Sequence, residues 1–275
     1  MSRRARPLAG RGPMTAEEWT IELESQWMGR DLEYFASLDS TNQYLKTRLR
    51  RENVPLGAAV VADEQTKGRG RLGREWWSPP RGGLYTSLVV YPGKDLSGLI
   101  SLMAGVALSE AIEAETSLDP GLKWPNDVLV AGKKCAGILV EAGPAPEPWA
   151  VMGIGVNVEG IIREDLDHAI TLAMAQNSAV SRIHLWARLC SRLEVWYETW
   201  LTRGGGPILA AWRERSLTLN QRVDVLAMGR VEFSGYARDI DGDGALLVET
   251  SGGQLRRVQA GEVGIRLEGG LYGPP

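Results

Sequence analysis

The spacing of apolar residues alternates between two periods over residues 34–215, which predicts strands interleaved with helices. Short continuous apolar runs predict strands at residues 57–62, 84–91, 122–124, 128–130, 136–141 and 149–158. Apolar positions three and four residues apart predict helices at residues 41–51, 99–110 and 185–200. The mixture predicts an α+β domain in which helices cover a sheet.

Capping and turn residues mark the ends of several elements. Ser40 and Gln43 have the spacing of a capping box, and Thr15 and Glu18 have the same spacing before a short helix. Gly204-Gly205-Gly206-Pro207 breaks the last predicted helix of this region.

The pattern changes after Leu217, where short apolar runs alternate with turn residues. Strands are predicted at residues 222–228, 231–238, 245–250, 254–259 and 263–267. Asp241-Gly242-Asp243-Gly244 is a hairpin signal, and about 50 residues of short strands predict a small SH3-like β barrel. The predicted domains are a partly disordered N-terminal extension at residues 1–33, a main α+β domain at 34–215 and the β domain at 217–268.

Composition and charge exclude several functional classes. The chain has 275 residues and a net charge of −3, so it is no electrostatic match for nucleic acid or an anionic membrane. No apolar stretch approaches the roughly 20 residues of a membrane span. The arginines near the N-terminus are not followed by the apolar core of a secretory signal. The sequence therefore predicts a cytoplasmic protein that binds neither DNA nor membranes.

The cysteines and histidines give no sign of a metal centre. Cys135 and Cys190 lie in separate apolar runs, which predicts two buried thiols in a reducing compartment. His168 and His184 have no partner at the spacing of metal ligands. No protein metal site is predicted.

The segment Gly68-Arg69-Gly70-Arg71-Leu72-Gly73-Arg74, the basic loop, is rich in glycine and arginine. Its glycines match a dinucleotide-binding pattern, but Glu75-Trp76-Trp77-Ser78-Pro79-Pro80 cannot begin the helix which that pattern needs. A solvated loop or a nucleic-acid-binding segment is one interpretation. The other is a flexible anion clamp, in which glycines let the backbone approach a ligand and arginines offer planar forks to phosphate and carboxylate oxygens.

Lys123-Trp124-Pro125-Asn126-Asp127 joins two predicted strands, with Pro125 keeping Trp124 extended. A hairpin corner with a solvated lysine accounts for this segment alone. The next segment, residues 133–141, places Lys134 beside a strand whose pattern is that of a fully buried one. Such an ammonium needs an anionic partner, which indicates a binding site.

Five ordered motifs between Phe35 and Asn157 resemble those of the biotin–protein ligases. The motifs are Ser40-Thr41-Asn42, Gln65-Thr66-x-Gly68-Arg69-Gly70-Arg71-x-Gly73-Arg74-x-Trp76, Lys123-Trp124-Pro125-Asn126-Asp127, Lys134-x-x-Gly137-Ile138-Leu139-Val140-Glu141 and Gly153-x-Gly155-x-Asn157. The resemblance implies a catalytic domain with a mixed β-sheet covered by helices, like that of class II synthetases and lipoate ligases. It implies a biotin–[acetyl-CoA-carboxylase] ligase that forms biotinyl-5′-AMP from biotin and ATP and passes biotin to a lysine of a biotin carboxyl carrier protein.

The resemblance also implies roles for residues in each motif. The expected catalytic residues are Lys134, Arg69, Arg71 and Asp127, of which Asp127 either orients the acceptor lysine or assists a metal. Contacts to biotin are expected from Ser40, Thr41, Asn42, Gln65, Gly68, Arg69, Gly70, Arg71, Lys134 and Gly137. Contacts to the nucleotide are expected from Arg71, Arg74, Trp76, Lys123, Asn126, Lys134 and Asn157. Mg²⁺ is expected on phosphate oxygens rather than in a protein cage.

Some members of this family carry an N-terminal DNA-binding domain and act as repressors. The 33 residues before Tyr34 are too few for that domain, so no repressor function is predicted. Related single-function ligases often pair through the catalytic sheet, which makes a homodimer an expectation. The alternatives are a lipoate or octanoate ligase or transferase of the same architecture, a non-catalytic biotin sensor and a nucleic-acid-binding module.

Overall fold

The structure, a computed structural model, describes residues 14–93, 98–143, 148–227, 230–259, 262–267 and 270–272. The helices are α1 (Ala16–Thr20), α2 (Thr41–Leu49), α3 (Leu99–Glu115), α4 (Leu172–Gln176), α5 (Arg182–Arg203) and α6 (Gly206–Glu214). The strands are β1 (Leu32–Phe35), β2 (Ala59–Ala62), β3 (Gly83–Val90), β4 (Gly121–Lys123), β5 (Asp127–Val130), β6 (Lys133–Gly143), β7 (Trp149–Asn157), β8 (Arg222–Ala227), β9 (Arg230–Ile240), β10 (Leu246–Thr250), β11 (Leu255–Val258), β12 (Glu262–Leu267) and β13 (Gly270–Tyr272).

In the described part of the chain, β1 to β7 form a seven-stranded mixed sheet in the order β1-β2-β3-β7-β6-β5-β4. Strands β1 and β2 are parallel, and the remaining neighbours are antiparallel. The two-residue period of a strand sends alternate side chains to opposite faces. Val61 and Met152 therefore enter the large core beneath α3, α5 and α6, whereas Val60 and Val151 pack with Leu45 of α2 on the other face.

Helix α3 lies between the sheet and helices α5 and α6, which explains why it is apolar almost all round. Helix α5 turns one apolar face inward, including Leu185, Leu189 and Leu193 as predicted. The carboxylate of Glu194 on the same helix accepts hydrogen bonds from the backbone N–H groups of Gln26, Trp27 and Met28 at 2.8 to 2.9 Å. These bonds attach the segment before β1 to the domain.

Strands β8 to β13 form the second sheet, which is six-stranded and antiparallel within the described residues. The α+β fold class, with a mixed sheet covered by helices and a small C-terminal β domain, is confirmed. The predicted limits of the three domains stay a prediction, and residues 1–13 of the predicted extension lie outside the described residues. The capping box at Thr15 is present, and Trp19 of α1 is fully buried in the main core.

The sequence interpretation missed one helix and was wrong about the burial of one strand. Residues 204–207 end α5 as predicted, but α6 begins at once, because Pro207 is tolerated in a first helical turn. The strand after Lys134 is not buried on both faces. Ala136 and Ile138 of β6 point into the core, whereas Gly137 and Leu139 line a cavity. The apolar residues on one face of β6 thus pack in the core, and those on the other face line the cavity.

Candidate active site

A cavity of about 360 Å³ lies on the face of the sheet that carries α2. Its floor is made by β6 and β7, through residues such as Gly137 and Gly155. The basic loop covers one side, and the segment before α4 covers another through Leu166 and His168. Leu226 of β8 adds a wall from the C-terminal sheet. The motifs that are far apart in the sequence therefore surround a single space.

The basic loop folds back on itself as a tight hairpin. The backbone N–H of Gly70 donates to the carbonyl of Arg74 at 2.8 Å, and that of Trp76 donates to Gly68 at 3.0 Å. The turn between them needs left-handed backbone at Leu72 (φ 56°) and Gly73 (φ 77°), which glycine adopts without strain. This fold places Arg69, Arg71 and Arg74 around the cavity. Gly68 packs behind it instead, where a Cβ would lie 2.3 Å from the carbonyl oxygen of Trp76.

The predicted anionic partner of Lys134 is Asp127, whose Oδ1 lies 2.6 Å from the ammonium nitrogen. The two residues stand on neighbouring antiparallel strands, β6 and β5, where a bulge between Val128 and Leu129 shifts the register. Their side chains are 27% and 20% exposed, so both face the cavity without being fully solvated. The contact is an ion pair that lacks the alignment of a hydrogen bond. Because an ammonium has three donors, Lys134 keeps donors for an anion in the cavity.

The corner between β4 and β5 makes hydrogen bonds to the basic loop and to the C-terminal β domain. Arg71 of the basic loop donates to Asn126 Oδ1 at 3.2 Å, and Asn126 Nδ2 donates to the carbonyl of Ile138 at 2.8 Å. The buried indole of Trp124 donates at 3.0 Å to the carbonyl of Gly244, in the turn between β9 and β10. The Trp124–Pro125 peptide bond is cis. The corner thus connects the basic loop with the small β domain.

The indole of Trp76 lies flat on two glycines of the cavity floor. A Cβ on Gly155 would lie 2.4 Å from Trp76 Nε1, and one on Gly137 would lie 3.1 Å from the ring. The ammonium of Lys134 stands 5.4 Å from the ring centroid, within the range of a cation–π contact. The indole N–H is buried and has no hydrogen-bond partner among the described residues. The indole is therefore a flat surface inside the site, with its N–H turned toward the glycine floor.

The opposite end of the cavity carries a polar wall at the start of α2. Ser40 caps the helix by accepting from the backbone N–H of Gln43, as the capping-box spacing predicts. The amide oxygen of Gln65 accepts from the backbone N–H of Thr41 at 2.9 Å, and its nitrogen donates to Ser78 Oγ at 3.0 Å. Thr41 and Asn42 are almost fully buried. This wall is polar and internally hydrogen-bonded, and it is adjacent to the apolar Leu139 and Ile154.

Comparison with known proteins connects this geometry to a family. The profile of the Biotin/lipoate A/B protein ligase family matches residues 34–158, and that of the Biotin protein ligase C terminal domain matches residues 218–266. The biotin–[acetyl-CoA-carboxylase] ligase of Mycobacterium tuberculosis is 37% identical over 241 residues, which are 85% of this chain and 88% of that relative. The bifunctional ligase/repressor BirA of Bacillus subtilis is 32% identical over 260 residues, which are 92% of this chain and 79% of that relative. The chain belongs to the biotin protein ligase family.

Structural comparison agrees with this assignment. The biotin protein ligase from Aquifex aeolicus in complex with biotin and ATP superposes with a TM-score of 0.74 at 32% identity, covering 86% of this chain and 99% of that one. The prediction of a biotin–[acetyl-CoA-carboxylase] ligase from the sequence motifs is confirmed.

The ligase brings nearly all of its predicted site residues to the one cavity. Its lining includes Ser40, Thr41, Asn42, Gln65, Arg69, Gly70, Arg71, Arg74, Trp76, Lys123, Asn126, Asp127, Lys134, Gly137 and Asn157. Gly68 is the predicted residue that does not line it. The role assigned to each side chain stays a prediction.

The motifs missed several residues of the site. The segment around His168 is joined to Lys134 by two backbone hydrogen bonds, Lys134 N–H to His168 O at 2.9 Å and Ile170 N–H to Lys134 O at 3.0 Å. Leu226 comes from the other sheet. Neither position has a local sequence signal, because only the fold brings it to the cavity. Ser87, which lies behind the polar wall, was also missed, and Glu141, which ends the fourth motif, was given no role.

The described residues of the ligase contain no group of three or more His, Cys, Asp or Glu side chains that could hold a metal ion. Among the cavity residues described, the carboxylates are Asp127 and Glu75, which are ion-paired with Lys134 and Arg163. In the same part of the chain, no helix has the length and apolar character needed to cross a membrane.

Proposed function

We propose that this ligase forms biotinyl-5′-AMP from biotin and ATP and then transfers biotin to a lysine of a biotin carboxyl carrier protein. The observation that carries the proposal is the convergence of Lys134, Arg69 and Arg71 on one cavity whose other end is the polar wall at Thr41. The cations suit a reaction between two anions, and the polar wall suits the head group of a small acid. The relatives named as biotin ligases supply the identity of that acid.

The first half-reaction needs fixed positive charge. A carboxylate oxygen of biotin attacks the α-phosphorus of ATP, the bond to the β-phosphate oxygen breaks, and pyrophosphate leaves. The two reactants repel each other, so cations held in place before the reaction lower its barrier. Lys134 is held by Asp127 and by the backbone bonds to the His168 segment, which fits this demand. Arg69 and Arg71 approach the same space from the basic loop.

The two ends of the cavity suit two different parts of the substrates. Ser40, Thr41 and Gln65 offer hydrogen bonds to a ureido ring, and Leu139 and Ile154 offer apolar contact to the rest of biotin. On the nucleotide side, Trp76 is proposed to cover the adenine. Further contacts to the nucleotide are proposed from Arg74, Lys123, Asn126 and Asn157, which also line the cavity.

Mg²⁺ is proposed to arrive on the phosphate oxygens of ATP. This cation prefers oxygen ligands and keeps much of its water, so it needs few protein carboxylates. The two carboxylates that line the described cavity are already ion-paired. When bound, Mg²⁺ would supply positive charge to the phosphates.

The second half-reaction joins biotin to the carrier. The amine of the acceptor lysine attacks the acyl carbon of biotinyl-AMP, the bond to the phosphate oxygen breaks, and AMP leaves. The amine has to be unprotonated when it attacks. Asp127, the carboxylate at the reacting end of the cavity, is proposed to orient this amine. A basic loop closed over the adenylate would protect it from water in the meantime.

Biotin-dependent ATP–pyrophosphate exchange, followed by transfer of radiolabelled biotin to a purified carrier domain, tests this proposal. We expect exchange with biotin and label on one lysine of the carrier. Lipoate is the matched competitor, because the family profile covers both biotin and lipoate ligases. Exchange driven by lipoate alone would assign the chain to the second class.

A further inference from the structure

A chain of buried polar groups lies behind the polar wall. Asn42 is 4% exposed, and its Nδ2 donates to the carbonyl of Leu139 at 3.2 Å and to Glu141 Oε2 at 2.9 Å. A carbonyl and a carboxylate can only accept, so the amide nitrogen has to face them. The amide oxygen of Asn42 then faces Ser87 Oγ at 2.6 Å. Its position depends on Gly153, where a Cβ would lie 2.2 Å from that oxygen.

This orientation decides the direction of the remaining hydrogen bonds. Four oxygens stand in a row, those of Asn42, Ser87, Thr41 and Gln65, with separations of 2.6, 2.7 and 3.1 Å. Two hydroxyl protons are available for these three contacts. Since Asn42 Oδ1 only accepts, Ser87 donates to it. The Thr41 proton then belongs in the 2.7 Å contact with Ser87 rather than in the 3.1 Å contact with Gln65, because two oxygens 2.7 Å apart need a proton between them. No proton then remains between Thr41 Oγ1 and Gln65 Oε1, and both oxygens present lone pairs at the wall of the cavity.

At the other end of the row, the side-chain amide of Gln65 is also held in one orientation. The Ser78 hydroxyl donates to the carbonyl of Trp76 at 3.1 Å, so it accepts from Gln65 Nε2. Gln65 Oε1 therefore points toward Thr41, where it accepts from the backbone N–H. The lack of a proton between Thr41 Oγ1 and Gln65 Oε1 therefore follows from the hydrogen bonds at both ends of the row.

Glu141 is kept ionised by Lys46, which lies one helical turn after Asn42 on α2. The Lys46 ammonium is 2.5 Å from Glu141 Oε1, and the two side chains are 15% and 26% exposed. Burial favours the neutral carboxyl, but the hydrogen bonds from Lys46 and Asn42 outweigh it and hold the pKa of Glu141 below its ordinary value. Neither Glu141 nor Lys46 lines the cavity. Asn42 is the cavity residue that Glu141 contacts directly, and the charge of Arg69, which also lines the cavity, acts on Glu141 through space.

We propose that Glu141 is a positioning residue that sets the direction of this hydrogen-bond chain, so that Thr41 and Gln65 select ligands with N–H donors. The inference rests on the proposed function, since a ureido ring carries two N–H groups and the dithiolane ring of lipoate carries none. The selection between these two acids then depends on a carboxylate that touches neither of them.

The test compares the full chain with variants that all carry Lys46→Met, which removes the competing cation. Glu141→Gln in this background keeps a carbonyl acceptor for Asn42, whereas Glu141→Leu keeps a similar volume without an acceptor. Pyrophosphate exchange is measured with biotin, with lipoate and with ATP as the varied substrate. Glu141→Leu should raise KM for biotin by about tenfold, the effect of one lost hydrogen bond, and leave KM for ATP unchanged. In the Glu141→Gln variant, KM for biotin should stay near that of the Lys46→Met parent.

The biotin-to-lipoate preference should fall by the same factor in the Leu variant. An unchanged KM for biotin in that variant, or an equal rise for biotin and ATP, would overturn the inference. So would a Gln variant as impaired as the Leu variant, because a simple packing defect would not distinguish them in this way. The unmodified chain is assayed first, and a lack of exchange with biotin there would reject the proposed function itself.

Discussion

The Lys134 ammonium lies 2.6 Å from Asp127 Oδ1, across neighbouring strands and at the edge of the cavity. Asp127 stabilises the charged form of Lys134 in a partly enclosed site when no substrate is bound. It also leaves donors of the ammonium for a substrate anion. Variants of Lys134 and Asp127 can therefore separate a loss of catalysis from a loss of stability.

Lys134→Ala should lower biotin-dependent adenylate formation by at least about 10²-fold, the usual loss when one preorganised donor is removed. The physical reason is that the carboxylate and the α-phosphate then meet without this charge. Pyrophosphate exchange measures the effect, and Lys133→Ala, an exposed neighbour on the same strand, is the matched control. Exchange at the normal rate in Lys134→Ala would remove this residue from the mechanism.

The variant leaves Asp127 without its cation, so some loss of stability is expected alongside the loss of activity. The double variant Lys134→Met/Asp127→Asn removes both charges and should unfold near the temperature of the parent. It should still fail to form the adenylate. Activity in a well-folded double variant would contradict the proposed role.

The basic loop should be protected from trypsin when biotin and ATP are both bound. Arg69 and Arg74 are exposed in the structure, and both would contact anions in a closed site. Arg50 and Arg51, exposed after α2 and remote from the cavity, give an internal control whose cleavage should not change. Mass spectrometry of the fragments gives the sites. Equal cleavage after Arg69 and Arg74 with and without ligands would argue against closure.

Both cysteines should be unreactive in the native ligase. Burial raises the pKa of Cys135 to about 12 and that of Cys190 well above its ordinary value. The reactive thiolate is therefore scarce below pH 9, and neither sulfur is accessible. A thiol-specific chromogenic reagent should release no product from native protein and two equivalents per chain after denaturation. Rapid release from the native protein would contradict the buried-thiol assignment.

The contact between Arg182 and Asp63 should be important for stability. Arg182 Nη1 on α5 donates to Asp63 Oδ1 at 2.8 Å and to the carbonyl of Gly83 at 3.3 Å. Asp63 and Gly83 stand at the two ends of the long segment that contains the basic loop, and the Asp63 side chain is only 5% exposed. Arg182→Leu should lower the free energy of unfolding by about 3 kcal/mol, because it leaves a buried carboxylate without its principal cation.

Urea denaturation measures this loss. Arg163→Ala breaks an exposed pair with Asp165 and should leave the urea midpoint unchanged. A midpoint in Arg182→Leu that equals that of the control would show that Tyr34 and Arg81, the other neighbours of Asp63, suffice to stabilise it.

Most of the elements were predictable because their causes are local, and most of the site was predictable because its motifs resemble those of a known family. The period of apolar residues located α3, α5 and most strands of both sheets, and the capping residue Ser40 located the start of α2. The motifs identified the loop and the lysine that now share the cavity. Helix α6 was missed because the glycines before it signal only an end, and the next helix depends on packing against α3.

The sequence by itself determined the chemistry of this protein. It required an anionic partner for Lys134 and flexible backbone between the arginines of the basic loop, and its ordered motifs identified the family. Only the tertiary structure decided which groups meet: Asp127 with Lys134 through a bulged register, Leu226 with the cavity, and Glu141 with Asn42 across 99 positions of the chain. The physical reason is that charge, capping and backbone freedom belong to single residues or short segments. Contacts between distant residues depend on strand register and on the packing of the whole domain.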